Sequence, residues 1–158
     1  MRKKSKYKPK PVRHNTIAYV IAGMATVSKV PEAGLLLQLK NRAALDEVLL
    51  GRGTREHVEI LIGMVNMAEV LASYGIGQDW MPEIEEAQEA IHNMAQRGIS
   101  GKSFLFTGLE MQIVKTIHAL HDQQLEQCTV KQMEQANEQI AKAVKHGKAR
   151  QIVPKVAA

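Results

Sequence analysis

Apolar residues recur along most of the chain at three- and four-residue steps, the period of one helix face. The cleanest run is Val58, Leu61, Ile62, Val65, Ala68 and Ala72. Thr54 stands before it as a cap and Glu56 lies in its first turn, where an acid complements the helix dipole. Tyr74-Gly75-Ile76-Gly77 ends it, because glycine takes the left-handed conformation of a helix terminus and Ile76 can fold back on the last turn. An earlier helix is predicted from Val30-Pro31-Glu32 to about Leu50, since proline suits a first helical turn. Leu35, Leu36, Leu39, Ala43 and Leu50 trace its apolar face, and Gly51-Arg52-Gly53 stops it.

Downstream the same logic predicts three more helices. Asp79 caps the first, with Pro82, Glu83, Glu85 and Glu86 near its start, Arg97 at its end, and Ile84, Ala87, Ile91, Met94 and Ala95 as its buried stripe. Gly98 to Ser103 reads as a loop, and Phe104-Leu105-Phe106 as a short extended plug into the core. Thr107 and Glu110 have the spacing of a capping box, opening a helix that carries Leu109, Ile113, Ile117 and Leu120. Thr129 and Gln132 repeat that signature before Met133, Ala136, Ile140 and Ala143, and Gly147 ends the last helix. Thr16 to Val27 is short and apolar; helix is favoured over strand there because no comparable strand exists to pair with it. The expectation is an all-α fold, an irregular bundle of about five main helices: a basic flexible arm over 1–15, a single helical domain over 16–147 and a basic tail over 148–158, either unstructured or an extended segment docked through Ile152 and Val153.

Composition supports that reading and narrows the setting. The 158 residues are 45% hydrophobic but only 4% aromatic, a core better suited to helices than to a β-sandwich. A lone cysteine, Cys128, cannot make an internal disulfide, which points to a reducing compartment. The apolar run after the basic start is interrupted by Gly23 and Thr26 and meets no convincing cleavage site, so neither a signal peptide nor a membrane span is expected.

Charge is segregated. Arg2, Lys3, Lys4, Lys6, Lys8, Lys10 and Arg13 crowd the first thirteen residues without an acid, and Lys142, Lys145, Lys148, Arg150 and Lys155 repeat the pattern at the other end. Residues 14–141 hold 9 basic against 16 acidic residues, a balance of 9 − 16 = −7, although the whole chain is +5. Cationic ends on an acidic body suit a polyanion. The arm's prolines keep it extended, so its ammonium groups can follow a phosphate backbone while Tyr7 offers a stacking face.

Other constellations carry less. Gly98-Ile99-Ser100-Gly101-Lys102-Ser103 evokes a phosphate loop, but Gln96 stands where that motif needs its first glycine, and no strand precedes it. His118 and His121 share a helix face near Asp122 and Cys128, which would be a zinc site only if the fold converged three or four ligands; the plainer expectation is an exposed polar face with one histidine half-buried. No catalytic residue, cofactor or metal is therefore assigned, and an enzyme is not expected. Met64, Met67 and Tyr74 fall off the main stripe of their helix and would extend an apolar patch suited to homo-oligomerisation.

The opening RKKSKYKPKPVR, the stretch EILIGMVNMAEVLASYGIGQDW, the run HDQQLEQCTVKQMEQA and the closing KARQIV together resemble a group of small phage- and prophage-encoded helical proteins without assigned activity. The resemblance implies expression in a bacterial host cytoplasm and transfers no site residue. The expected function is that of a non-enzymatic accessory protein whose arm residues Arg2, Lys3, Lys4, Lys6, Tyr7, Lys8, Lys10 and Arg13 bind nucleic acid. The alternative is a phage protein whose acidic body, including Glu83, Glu85, Glu86 and Glu89, binds and modulates a host protein.

Overall fold

A computed structural model describes residues 31–148 and Ile152. The arm residues Arg2 to Arg13, the segment from Thr16 to Val27, and Val153 lie outside the described residues. Within them the protein is an all-α bundle of five helices and no strand: α1 (Pro31–Leu49), α2 (Arg55–Ser73), α3 (Met81–Ile99), α4 (Gly108–Gln127) and α5 (Val130–Lys145), with a single 3-10 turn over Gln78–Trp80 before α3.

Helix α2 is the hub, touching all four other helices. Its buried residues, Val58, Leu61, Met64, Val65, Met67, Ala68, Val70, Leu71 and Ala72, go well beyond one stripe. That geometry corrects the predicted patch: Met64 and Met67 are core residues, and only Tyr74 stays at the surface. A central helix needs apolar residues on several faces, which a single-stripe reading of the sequence cannot see.

The opposite correction applies to α1. Its buried face is Asn41, Ala44, Leu45 and Val48, whereas the predicted face turns outward: Leu35, Leu36, Leu39 and Leu50 are 53%, 67%, 56% and 63% exposed, and Ala43 is exposed too. Both stripes have helical spacing, and packing against α2 and α4 selects the shorter one. The outward leucines, not the methionines, form the exposed apolar row of this body. Leu109, predicted to be buried on α4, is likewise 80% exposed.

The helix ends follow local chemistry closely. Thr107 with Glu110 and Thr129 with Gln132 form full capping boxes. Thr54 also caps α2, but its reciprocal partner is His57, whose Nδ1 accepts from the Thr54 N–H at 3.2 Å. Gly75 adopts φ +89°, and Ile76 N–H returns to the Leu71 carbonyl at 3.0 Å. Asp79 does not cap α3. It sits inside the 3-10 turn, and Trp80 occupies the cap position without a side-chain bond. Helix α3 also runs two residues past the predicted stop, through Gly98 to Ile99, because Phe104 folds back beside Gly98. Phe104 and Phe106 are half-buried against the core as expected, with Leu105 outside.

Candidate functional site

The polar residues of α4 that face inward are the least expected feature of the core. His118, His121 and Gln124 are 5%, 1% and 1% exposed, so the face predicted to be open is the buried one. Gln124 is a clamp: its Nε2 donates to the Ala68 carbonyl at 3.0 Å and to the Ile76 carbonyl at 2.7 Å, tying α4 to α2 and to the turn that ends it. With both amide protons used, its Oε1 faces His121 Nδ1 at 3.3 Å. That oxygen can only accept, so Nδ1 carries the proton and Nε2 keeps a lone pair. His118 Nδ1 lies 3.6 Å from Asp122 Oδ2, and Gln38 Nε2 reaches the Asp122 carbonyl at 3.5 Å.

Buried polar atoms nearly always find partners. Among the described residues five side-chain atoms do not, and four of them gather here: Asn41 Nδ2, His118 Nε2, His121 Nε2 and Asp122 Oδ1. Burial holds the His121 imidazolium acid down to about 4, with the neighbouring His118 adding to the effect against the bond to Gln124. The unfolded chain therefore takes up a proton near 6.5 that the folded chain refuses. Stability from this group is complete above that pH and drains as pH falls toward 4, a loss on the order of 3 kcal/mol. Asp122, whose carboxyl burial pushes upward, works in the opposite direction. We expect urea unfolding to show a steeper fall in stability between pH 6.5 and 4 for the wild type than for His121→Leu. Parallel curves would mean that His121 is not held neutral.

Among the grooves formed by the described residues are two that open onto the bundle. The larger, about 560 Å³, lies between α2, α3 and α5, with Ile152 of the tail in its wall. Ile152 packs on the core. Polar groups on the groove's wall are mutually engaged, since Gln88 Nε2 donates to Glu69 Oε2 at 2.8 Å and to Asn66 Oδ1 at 3.3 Å. The smaller, about 390 Å³, is walled by α1, α2, α4 and α5 and includes Asn41 and His121. Gly63 of α2 belongs to this wall, and a Cβ added there would meet nothing within 4 Å. A glycine inside a helix costs about 1 kcal/mol relative to alanine, and no neighbour in the fold requires this one.

The surface charge is arranged so that the body's arginines are spent on itself. Arg42 pairs with Asp46 at 3.1 Å, Arg52 with Glu47 at 2.6 Å and Arg55 with Glu59 at 3.4 Å. Arg97 makes a bidentate pair with Glu110, Nη1 to Oε1 at 2.9 Å, and also bonds the Leu105 carbonyl. Partial burial opposes ionisation of Glu110, but Arg97 and the Thr107 N–H together hold its carboxyl below the usual range. Residues 31–148 carry 11 basic and 16 acidic side chains, 11 − 16 = −5. Their densest cationic group is Lys142, Lys145 and Lys148, all exposed, at the C-terminal end of α5.

None of the predicted arm contacts falls on a described residue. The other candidates are dispersed: Cys128 closes α4, its Sγ on the Leu125 carbonyl among the buried side chains of Leu71, Leu125 and Ala136, while His121 turns to Gln124. Burial pushes the Cys128 thiol up. Among the described residues no three His, Cys, Asp or Glu side chains are placed to hold a metal ion, and no helix is long and apolar enough to cross a membrane. Sequence reasoning missed Asn41, Gln124 and Gly63. A polar residue at a core position and a glycine within a helix were the available signals, and both look ordinary without the neighbours. No protein-family model matches the chain, and no curated protein or solved structure shows significant similarity to it.

Proposed function

We propose that this is a non-enzymatic accessory protein of phage type that binds nucleic acid through its cationic ends, the helical body acting as a scaffold. The observation that supports this reading is the partition of charge. Every arginine among the described residues is paired with an acid, while of the exposed lysines near the end of α5 Lys142 only approaches Glu138, at 3.9 Å, and Lys145 and Lys148 are followed in the sequence by Arg150 and Lys155. Paired cations on an acidic surface add little to phosphate binding, so the attraction must come from the termini, Arg2 to Arg13 above all.

The test is fluorescence anisotropy on duplex DNA over a salt series. Seven engaged arm cations give a log–log salt slope of about −6. Replacing Arg2, Lys3, Lys4, Lys6, Lys8, Lys10 and Arg13 with Ser is expected to abolish binding and leave the thermal midpoint almost unchanged. Retained binding would refute the arm's role, and a large fall in the midpoint would show that the arm is packed structure.

A second reading has its own support. Glu85, Glu86 and Glu89 are exposed along α3, an acidic row that could dock on a basic surface of a host protein and modulate it. A pull-down from bacterial lysate with and without nuclease separates the two, because a protein partner survives digestion of nucleic acid.

A further inference from the structure

We propose that α1 is a homodimerisation helix, whose outward row of Leu36, Leu39, Ala43 and Leu50 pairs antiparallel with the same row of a second copy about a two-fold axis at Ala43. The spacing of the row carries the inference. Leu36, Leu39, Ala43, Asp46 and Leu50 follow one another at steps of three and four, the seam of paired helices. The core takes the opposite face through Asn41, Ala44, Leu45 and Val48, and the leucines of the seam are left at the surface. The Leu50 N–H still donates to the Asp46 carbonyl at 2.9 Å, which keeps the last leucine in helical register. Leucines exposed singly are ordinary. A helix that buries one stripe and shows a second has another surface to cover. The methionines expected to serve self-association lie in the core, so α1 is where that surface is found.

The pattern is self-complementary, which selects a second copy as the occupant. Leu36 and Leu50 each stand seven residues from Ala43, so helices crossing there set Leu36 beside the partner's Leu50 at both ends. The small side chain of Ala43 lets the two backbones approach. Leu105, exposed beside Gly51, adds apolar surface next to Leu50, and Leu39 falls between the partner's Ala43 and Leu50. Charge agrees with this orientation. Lys40 and Glu47 lie on one flank of the row, and the two-fold axis brings each Lys40 to the partner's Glu47. Glu47 already accepts from Arg52 at 2.6 Å, but a carboxylate has lone pairs left for an ammonium. A parallel pair would set Asp46 in the seam against its own copy, a repulsion the antiparallel pair avoids. One helix per copy falls short of the roughly 20–30 residues a side of a standard interface, so the dimer is reversible, with a Kd on the order of 10 µM. The inference does not rest on the nucleic-acid reading, and its test uses no nucleic acid.

The test is sedimentation velocity of the full chain from about 1 to 300 µM. We expect a monomer–dimer equilibrium that Leu36→Glu weakens about tenfold or more. The thermal midpoint of that variant, measured below the Kd, should be unchanged, because the side chain is exposed within one copy. Lys40→Glu should weaken the dimer severalfold, and adding Glu47→Lys should restore it. Orientation is read by thiol crosslinking. Positions 36 and 50 are about 21 Å apart along a helix, so a short bismaleimide should join a mixture of Leu36→Cys and Leu50→Cys chains and neither chain to itself. The native Cys128 is buried and takes no part. A dimer indifferent to Leu36→Glu, a charge exchange that fails to restore affinity, or Leu36→Cys joined to itself overturns the proposal. So does a chain that stays monomeric at about 300 µM: if its midpoint falls with Leu36→Glu, the chain covers the row itself, with residues 16–27 the candidate, and if the midpoint holds, the row belongs to a different protein.

Discussion

Gly98→Ala is expected to destabilise the protein by about 3 kcal/mol, the range seen when a large aromatic is lost from a core. The reason is steric. Gly98 lies in the last turn of α3, and a Cβ there would fall inside the ring of Phe104, which packs on the main core cluster. The ring cannot step aside cheaply, because its own backbone is held between the end of α3 and the capping box of α4, and Arg97 fastens the Leu105 carbonyl beside it. Either Phe104 leaves the core or α3 shifts, and both forfeit buried apolar area. A double-mutant cycle tests the cause. Phe104→Ala alone should cost a comparable amount, and adding Gly98→Ala to it should cost nothing or restore a fraction through better helix propensity. Additive losses in urea denaturation would mean that the two residues do not oppose each other.

Gln124→Leu is expected to cost about 2–4 kcal/mol despite its apolar, near-isosteric side chain. The substitution removes the donor that satisfies the Ile76 carbonyl and one bond to the Ala68 carbonyl, and it leaves His121 Nδ1 without its acceptor. Buried groups stripped of partners carry most of the penalty, so a better hydrophobic fit does not compensate. Gln124→Glu should be worse near neutral pH, because a carboxylate would face two carbonyl oxygens in a buried site. The local signature is specific: hydrogen exchange at Gly75 to Gly77 should accelerate before the rest of α2, since that turn loses its tie to α4. A uniform loss of protection would place the clamp's contribution elsewhere.

How far the fold could be read in advance depended on the range of the interaction concerned. Capping boxes at Thr107 and Thr129, the glycine stop at Gly75 and the end at Gly147 rest on residues three or four apart, and the structure has them as expected. The stripes of α2 and α3 were legible for the same reason. Asp79 failed as a cap although its type was right, because the preceding turn closed as a 3-10 helix and moved the start of α3 to Met81. The leucines of α1 failed because two helical stripes competed. Helix periodicity states that a face exists, and only the neighbours decide which face is covered.

The polar site was legible least of all. His118 and His121 drew notice as a pair, yet the groups that give His121 its protonation state come from Gln124, Ala68 and Ile76, up to 56 residues away for a single hydrogen bond. Asn41 enters the same groove from α1. What the sequence determined by itself was therefore the helical class, most helix ends and the division of charge between the ends and the body, all of which follow from local periodicity, local capping and counting. Tertiary structure alone decided which leucines are outside, that two methionines are core, and that a layer of amide and imidazole groups lies buried between α1, α2 and α4. The physical reason is that desolvation and hydrogen-bond satisfaction are properties of a neighbourhood assembled from distant parts of the chain, and one residue's chemistry does not disclose its neighbours.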